Sequence, residues 1–150
     1  MKPRVALSLA LGLSALTITA AAEDAAKDLD SLQGTWSVTS TQEGGKEQAD
    51  QQSKKLSIVI KKDVFSFKFE GQPKTLDMKL KLDPSTKPKA VEFISMIREG
   101  QVSHGIYQLD GDDLKTCWAR YGKARPEGFT TKAGDGRIFL TLKRVQAPDK

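Results

Sequence analysis

The segment Phe65-Ser66-Phe67-Lys68-Phe69 (FSFKF) decides the fold class, because large apolar and polar side chains alternate strictly along it. A period of two residues places one set of side chains on each face of an extended chain, so the segment predicts a half-buried β-strand. The alternation recurs at residues 76–82 and 138–143, and more weakly at residues 36–40, 56–60, 91–97, 102–109 and 114–120. The sequence therefore predicts eight strands.

Turn-forming residues separate these segments. Pro84 and Pro88 interrupt strand pairing, and Asp110-Gly111-Asp112 predicts a tight hairpin. Short strands joined by short turns predict an all-β fold, an eight-stranded antiparallel up-and-down barrel, with a two-sheet sandwich as the alternative. We also expect a short N-terminal helix at residues 25–32 and two long connections at residues 43–55 and 121–136.

The N-terminal residues have the layout of a secretory signal peptide. Lys2 and Arg4 precede an uncharged apolar run, and small residues follow it up to a cleavage site after Ala22. The run spans about 14 residues, fewer than the roughly 18–20 that cross a bilayer, so we expect cleavage and no retained membrane span. The chain is thus divided into a signal peptide (1–22) and one barrel domain (23–150), exported to the periplasm or beyond the cell.

Charge and cysteine content limit the classes of function. The formal net charge of +5 falls to +3 without Lys2 and Arg4. The remaining lysines are spread along strands, which is typical of solvated faces and not of a nucleic-acid interface. Cys117 is the only cysteine, so an internal disulfide is excluded. Its thiol is either a small buried apolar group or free to pair between chains.

The segment Leu32-Gln33-Gly34-Thr35-Trp36 (LQGTW) opens the first predicted strand. Gly34 permits an unusual backbone geometry and leaves room beside it, and Trp36 is expected to point inward at the base of the barrel. Gly34-Thr35-Trp36 resembles the G-x-W signature of lipocalins, in which a basic residue late in the last strand packs over the tryptophan. The resemblance assigns that role to Arg144, in a cation–π contact worth roughly 0.5–2 kcal/mol.

The resemblance extends to the short lipocalin-like domains that are abundant in planctomycete bacteria and are mostly exported. It rests, in order, on LQGTWSV, LDPSTKPKAVEF, GIYQLDGDDLKTCWA, RPEGF and LTLKR, and it covers residues 29–145. The chain departs from typical lipocalins in lacking a T-D-Y motif before the seventh strand and a disulfide. The resemblance therefore implies a barrel fold and export, and it identifies no ligand.

Alternation also predicts the side chains that line the barrel interior. The candidate ligand contacts are Trp36, Phe65, Phe67, Phe69, Met78, Phe93, Tyr107 and Trp118. An eight-stranded barrel is just wide enough either to hold one small ligand or to be filled by its own side chains. A wall of apolar side chains suits a small apolar ligand. The same side chains can instead form an ordinary packed core.

Catalytic and metal-binding patterns are weak in this sequence. His104 and Cys117 lie on consecutive predicted strands, but a nucleophile pair needs a third, orienting group. One histidine and one cysteine are too few ligands for a structural zinc site. The Asp110–Asp113 turn lacks the ligand spacing of a calcium loop. We therefore expect no enzyme activity, no metal and no cofactor.

Two functions remain open. The first is a carrier that binds a small apolar ligand inside the barrel. The second is a closed barrel that serves as an interaction or inhibitor module and docks an envelope protein through its loops. In the second case the connection at residues 121–136 is the main candidate, with Arg120, Lys123 and Arg125.

Overall fold

The structure, a computed structural model, describes residues 16–48 and 50–147. The helices are α1 (Leu16–Leu32) and α2 (Asp50–Ser53). The strands are β1 (Gly34–Glu43), β2 (Lys46–Glu47), β3 (Leu56–Lys61), β4 (Val64–Phe69), β5 (Leu76–Asp83), β6 (Lys89–Ser95), β7 (Val102–Asp110), β8 (Asp113–Ala119) and β9 (Arg137–Arg144).

The strands form one antiparallel sheet that closes on itself. From β3 to β9 each strand pairs with the next. Closure comes from β1, which pairs with β3 along residues 34–37 and with β9 along residues 36–43. The extra strand β2 pairs with the last two residues of β1, Gln42 and Glu43, which also pair with β9. The predicted eight-stranded antiparallel barrel is confirmed, and closure removes the exposed edges that an open sheet would present.

The barrel has two ends, which we call the base and the rim. At the base lie the start of β1, the end of β9, and the turns β3–β4, β5–β6 and β7–β8. The C-terminal part of α1 covers the base, where Leu29 and Leu32 pack against the core. At the rim lie β2, α2 and the connections β4–β5, β6–β7 and β8–β9.

Gly105 on β7 allows large rings to meet inside the barrel. A Cβ atom there would lie 2.9 Å from both the Cys117 carbonyl oxygen and the Trp118 Cβ, and 3.1 Å from the Phe93 ring. Such distances are below van der Waals contact, so the position has room for hydrogen alone. The missing side chain at Gly105 is therefore part of how the interior is packed.

Among the differences from the sequence-based expectation, three are the clearest. The helix α1 begins at Leu16 and not at residue 25, and Ala20, Ala21 and Ala22, which precede the expected start, have high helix propensity. The strand β2 lies within residues 43–55, where no strand is predicted. The strand β6 ends at Ser95 and not at residue 97, because the Ser95 N–H donates to the Gln101 carbonyl (2.9 Å) and closes a tight turn.

The predicted signal peptide is outside the part that the structure describes, apart from its last residues. Residues 1–15 lie outside the described residues, and residues 16–22 form the first turns of α1. Over the described range, no helix has the length and apolar composition needed to cross a membrane.

Candidate functional site

Four aromatic rings fill the middle of the barrel, and we call them the aromatic cluster: Phe65, Phe67, Phe93 and Trp118. Each ring contacts two others, so that the contacts form a closed circuit. The ring centroids lie 5.2 Å apart for Phe65–Phe67, 5.3 Å for Phe65–Phe93, 6.1 Å for Phe67–Trp118 and 5.2 Å for Phe93–Trp118. These are ordinary edge-on and tilted packing distances. Four of the candidate ligand contacts are thus in contact with one another.

Little space remains between the aromatic cluster and α1. The void there measures about 20 Å³ and is walled by Leu32, Phe65, Phe93 and six further side chains. That is room for about one water molecule, whereas pockets for small ligands measure roughly 300–1,000 Å³. A ligand in this part of the barrel would have to displace core side chains.

The base of the barrel is closed by Trp36 and Arg144. The Trp36 side chain is fully buried, and its Nε1–H donates to the Leu32 carbonyl at the end of α1 (2.9 Å). The Arg144 guanidinium lies over the Trp36 ring, 4.3 Å from the ring centre. It also donates to the carbonyls of Gln33 (2.6 Å) and Ser31 (2.7 Å). This group therefore joins the first strand, the last strand and the helix end.

Gly34 has a specific role at the base. Its φ of +122° is disfavoured for residues with a side chain. A Cβ atom there would also lie 3.3 Å from Nη1 of Arg144. The glycine two residues before Trp36 therefore lets the chain turn from α1 into β1 and leaves space for the guanidinium.

Tyr107 is a second tie between α1 and the barrel. Its hydroxyl donates to Oδ2 of Asp28 (2.6 Å), and Lys89 Nζ donates to the same oxygen (2.7 Å). Burial, followed by the Asp28 acceptor, raises the pKa of Tyr107 well above its usual range. The phenol therefore stays protonated and keeps donating. The hydroxyl of Tyr107 therefore points at α1, where it is already bonded to Asp28.

The two remaining interior candidates lie toward the rim. Met78 is half-buried, pairs with Phe65 across β4 and β5, and packs against the core. Phe69 is at the end of β4 and is exposed. The structure therefore brings Met78 to the aromatic cluster and places Phe69 at the mouth of the barrel.

The long connection between β8 and β9 lies against the outer wall of the barrel. The Arg125 guanidinium donates through Nη1 to the carbonyls of Val91 (3.0 Å) and Gly105 (2.5 Å). Pro126 and Thr131 are buried, and the Phe129 and Phe139 rings lie 5.9 Å apart. Arg125, expected as a docking residue, instead holds this segment on the barrel.

Cys117 is buried beneath this segment. Its Sγ lies 3.9 Å from the Thr130 carbonyl oxygen, and burial raises the pKa of its thiol to about 11. His104 lies elsewhere on the outer wall, where its Nδ1 is 3.4 Å from Nη2 of Arg125 and 3.8 Å from Oε1 of Glu92. The structure therefore does not bring the cysteine and the histidine into contact.

Replacing Arg125 by alanine is expected to accelerate labelling of Cys117 by an aromatic disulfide reagent about tenfold to a hundredfold. Hydrogen bonds to a charged group contribute roughly 1.5–3 kcal/mol, and each 1.4 kcal/mol changes the opening equilibrium about tenfold. The measurement is the labelling rate under native conditions at about pH 8.

Lys123→Ala is the matched control, because Lys123 is exposed on the same segment and forms no ion pair with another described residue. Equal rates in Arg125→Ala and the unmodified protein would contradict the anchoring role.

The labelling pH of about 8 follows from the direction in which the pKa of Cys117 is shifted. The folded pKa of about 11 lies above the ordinary value of 9.0, so the stability that the buried thiol contributes is complete below about pH 9 and is lost as pH rises through 11.

Comparison of the chain with protein-family models, with curated proteins and with solved structures found no match. The site is therefore defined by its geometry alone. Among the residues that the structure describes, no three His, Cys, Asp or Glu side chains are grouped closely enough to hold a metal ion.

Sequence reasoning missed the structural roles of two residues. Arg125 is expected to dock a partner but binds backbone carbonyls, and Asp28 accepts hydrogen bonds from Tyr107 and Lys89. Such contacts leave no pattern in the sequence. Met96 and Ile97 follow the alternation of β6 but are exposed, because the turn after Ser95 takes them out of the sheet. The side chain of Ser95, whose Oγ accepts a hydrogen bond from the Arg98 N–H, is the sequence signal of that turn, since its other bonds join backbone groups.

Proposed function

We propose that the chain is an interaction module of the cell envelope: a lipocalin-like barrel, filled by its own side chains, that acts through its rim and without catalysis. One observation carries the proposal. Of the six large apolar side chains exposed among the described residues, Val145 is at the base and five are at the rim. These five, which we call the rim patch, are Phe69, Leu76, Met96, Ile97 and Tyr121.

Exposed apolar side chains scattered singly over a surface are normal, but a cluster of them at one end is typical of an interaction site. The rim patch spans neighbouring parts of the barrel: the end of β4, the start of β5, the β6–β7 turn and the end of β8. Tyr121 lines a surface groove of about 640 Å³ together with Gly100 of the β6–β7 turn. The five side chains therefore lie at one end of the barrel, on neighbouring segments of its wall.

Export and a relation to the lipocalin-like domains are parts of the same proposal. The charged N-terminus, the apolar run and the small residues that end at Ala22 support cleavage of a signal peptide and a place in the periplasm or outside the cell. The closed barrel and the packing of Arg144 over Trp36 are consistent with the G-x-W resemblance.

A carrier function has less support, because the void of about 20 Å³ beside the aromatic cluster is far below the roughly 300 Å³ of a small-ligand pocket. The two functions require different properties of the structure. An interaction module requires an exposed rim patch, whereas a carrier requires the aromatic cluster to open.

Site-specific photo-crosslinking in the host cell tests the proposal. A photoreactive side chain at position 97 is expected to give an adduct with another envelope component, protein or lipid. The same group at position 145, which is exposed at the base, serves as the control and is expected to give none. Absence of any adduct at position 97, together with a co-purified small molecule seen by native mass spectrometry, would favour the carrier instead.

A further inference from the structure

Hydrogen bonds close the β6–β7 turn, which carries two side chains of the rim patch, Met96 and Ile97. In the β6–β7 turn the Ser95 N–H donates to the Gln101 carbonyl (2.9 Å), and the Arg98 N–H donates to Oγ of Ser95 (3.0 Å). Between these bonds Met96 and Ile97 are 56 % and 74 % exposed. The turn therefore holds two aliphatic side chains away from the barrel, and little further ordering is needed before they contact a partner.

Charged side chains on the same side of the rim are mostly cationic. In residues 68–77, 96–101 and 120–124, the exposed charged residues are the cations Lys68, Lys74, Arg98, Arg120 and Lys123 and the carboxylates Glu70 and Glu99. Asp77 in the same range is half-buried. Of the five cations, Arg120 alone forms an ion pair with a described residue, Glu43.

Charges at the base are arranged differently. There, Lys79, Lys89, Lys143 and Arg144 each lie within 4 Å of a carboxylate, at Asp63, Asp28, Asp113 and Asp112 respectively. Lys61, Lys62 and Lys87 at the same end are exposed and form no ion pair with a described residue, so the base holds both paired and unpaired cations. Beside the rim patch, four of the five cations are available to an external anion.

We propose that the rim patch docks on the surface of an anionic lipid bilayer, an inference that rests on the proposed function of the rim. Aliphatic side chains that project from a turn need no matching pocket in a bilayer, which deforms around them. Tyr121 at the same end has the amphipathic ring that favours the membrane interface. Unpaired lysines and arginines beside the aliphatic side chains attract acidic headgroups. A protein partner would instead need a concave surface shaped to these projections.

Vesicle sedimentation with the purified chain tests the inference. The protein is expected to bind phosphatidylglycerol vesicles at least about tenfold more tightly than phosphatidylcholine vesicles, with binding that weakens as salt is added. Combining Met96→Ser with Ile97→Ser is expected to weaken binding about tenfold or more, because it removes the inserted apolar surface. Val145→Ser, an exposed apolar residue at the base, is the matched control and is expected to leave binding unchanged.

A fluorescence measurement shows which residues enter the bilayer. Because Cys117 is buried, Ile97→Cys and Val145→Cys each provide one accessible thiol for a polarity-sensitive dye. A blue shift at position 97 and none at position 145 on adding anionic vesicles is the expected result.

Three results would overturn the inference. They are no binding to either vesicle, equal binding by the Met96→Ser/Ile97→Ser variant, or a blue shift at position 145 alone. If vesicles do not bind but position 97 still crosslinks to an envelope protein in cells, the bilayer inference fails while the interaction function of the rim stands. If neither occurs, both fail.

Discussion

Trp36→Ala is expected to lower the free energy of unfolding by about 3–5 kcal/mol, the range for removing a large buried ring. The ring is fully buried, it lies under the Arg144 guanidinium, and its Nε1–H is bonded to the Leu32 carbonyl. Its loss leaves a cavity at the base and removes one tie to α1. Urea unfolding followed by far-UV circular dichroism measures the change, and since domains are stable by about 5–15 kcal/mol, the variant is expected to unfold at low denaturant.

Trp36→Phe separates the hydrogen bond from the packing. It keeps a ring in the core but has no N–H for Leu32, so a smaller loss is expected, of which the missing bond accounts for about 1 kcal/mol. A double-mutant cycle with Arg144→Met measures the contact between the guanidinium and the ring, for which a coupling of roughly 0.5–2 kcal/mol is expected. A Trp36→Ala loss below about 1 kcal/mol would show that the base of the barrel is not part of the cooperative core.

The barrel could be predicted from sequence because each of its strands obeys one simple rule. Phe65 and Phe67 on β4, for example, both face the core. Because every second residue of a strand points to the same face, the apolar residues recur with a period of two in the sequence. Trp36 and Arg144 could be paired for a different reason. The resemblance of Gly34-Thr35-Trp36 to the G-x-W signature predicts that a basic residue late in the last strand packs over the tryptophan, and the structure places the Arg144 guanidinium 4.3 Å from the ring centre.

The surface could not be predicted in the same way, because its contacts have no period. Arg125 binds the carbonyls of Val91 and Gly105, and any residue type presents a carbonyl. The exposure of Ile97 depends on hydrogen bonds within one turn that interrupts an otherwise regular strand. Whether side chains fill the interior depends on their packed volume. Alternation predicts which side chains face inward, but it does not predict how closely they pack.

Phe93→Ala is expected to lower the free energy of unfolding by about 3–5 kcal/mol and to create a binding site that the unmodified protein lacks. Phe93 is buried and its ring contacts Phe65 and Trp118, so its removal opens the aromatic cluster and enlarges the adjoining void of about 20 Å³. Engineered apolar cavities of about 150 Å³ stay dry and bind benzene. Benzene is therefore expected to raise the melting temperature of this variant, since a ligand that binds the folded state alone stabilises it.

Phe69→Ala is the matched control, because it removes the same ring from the exposed end of β4. It is expected to cost less than about 1 kcal/mol and to create no benzene site. The unmodified protein decides between the two functions considered for this barrel. If benzene leaves its melting temperature unchanged, the interior is closed to apolar ligands and binding must occur outside, where the rim patch is the principal apolar surface among the described residues. If benzene stabilises it as strongly as the Phe93→Ala variant, the aromatic cluster opens without mutation, and the carrier function would displace the one proposed for the rim.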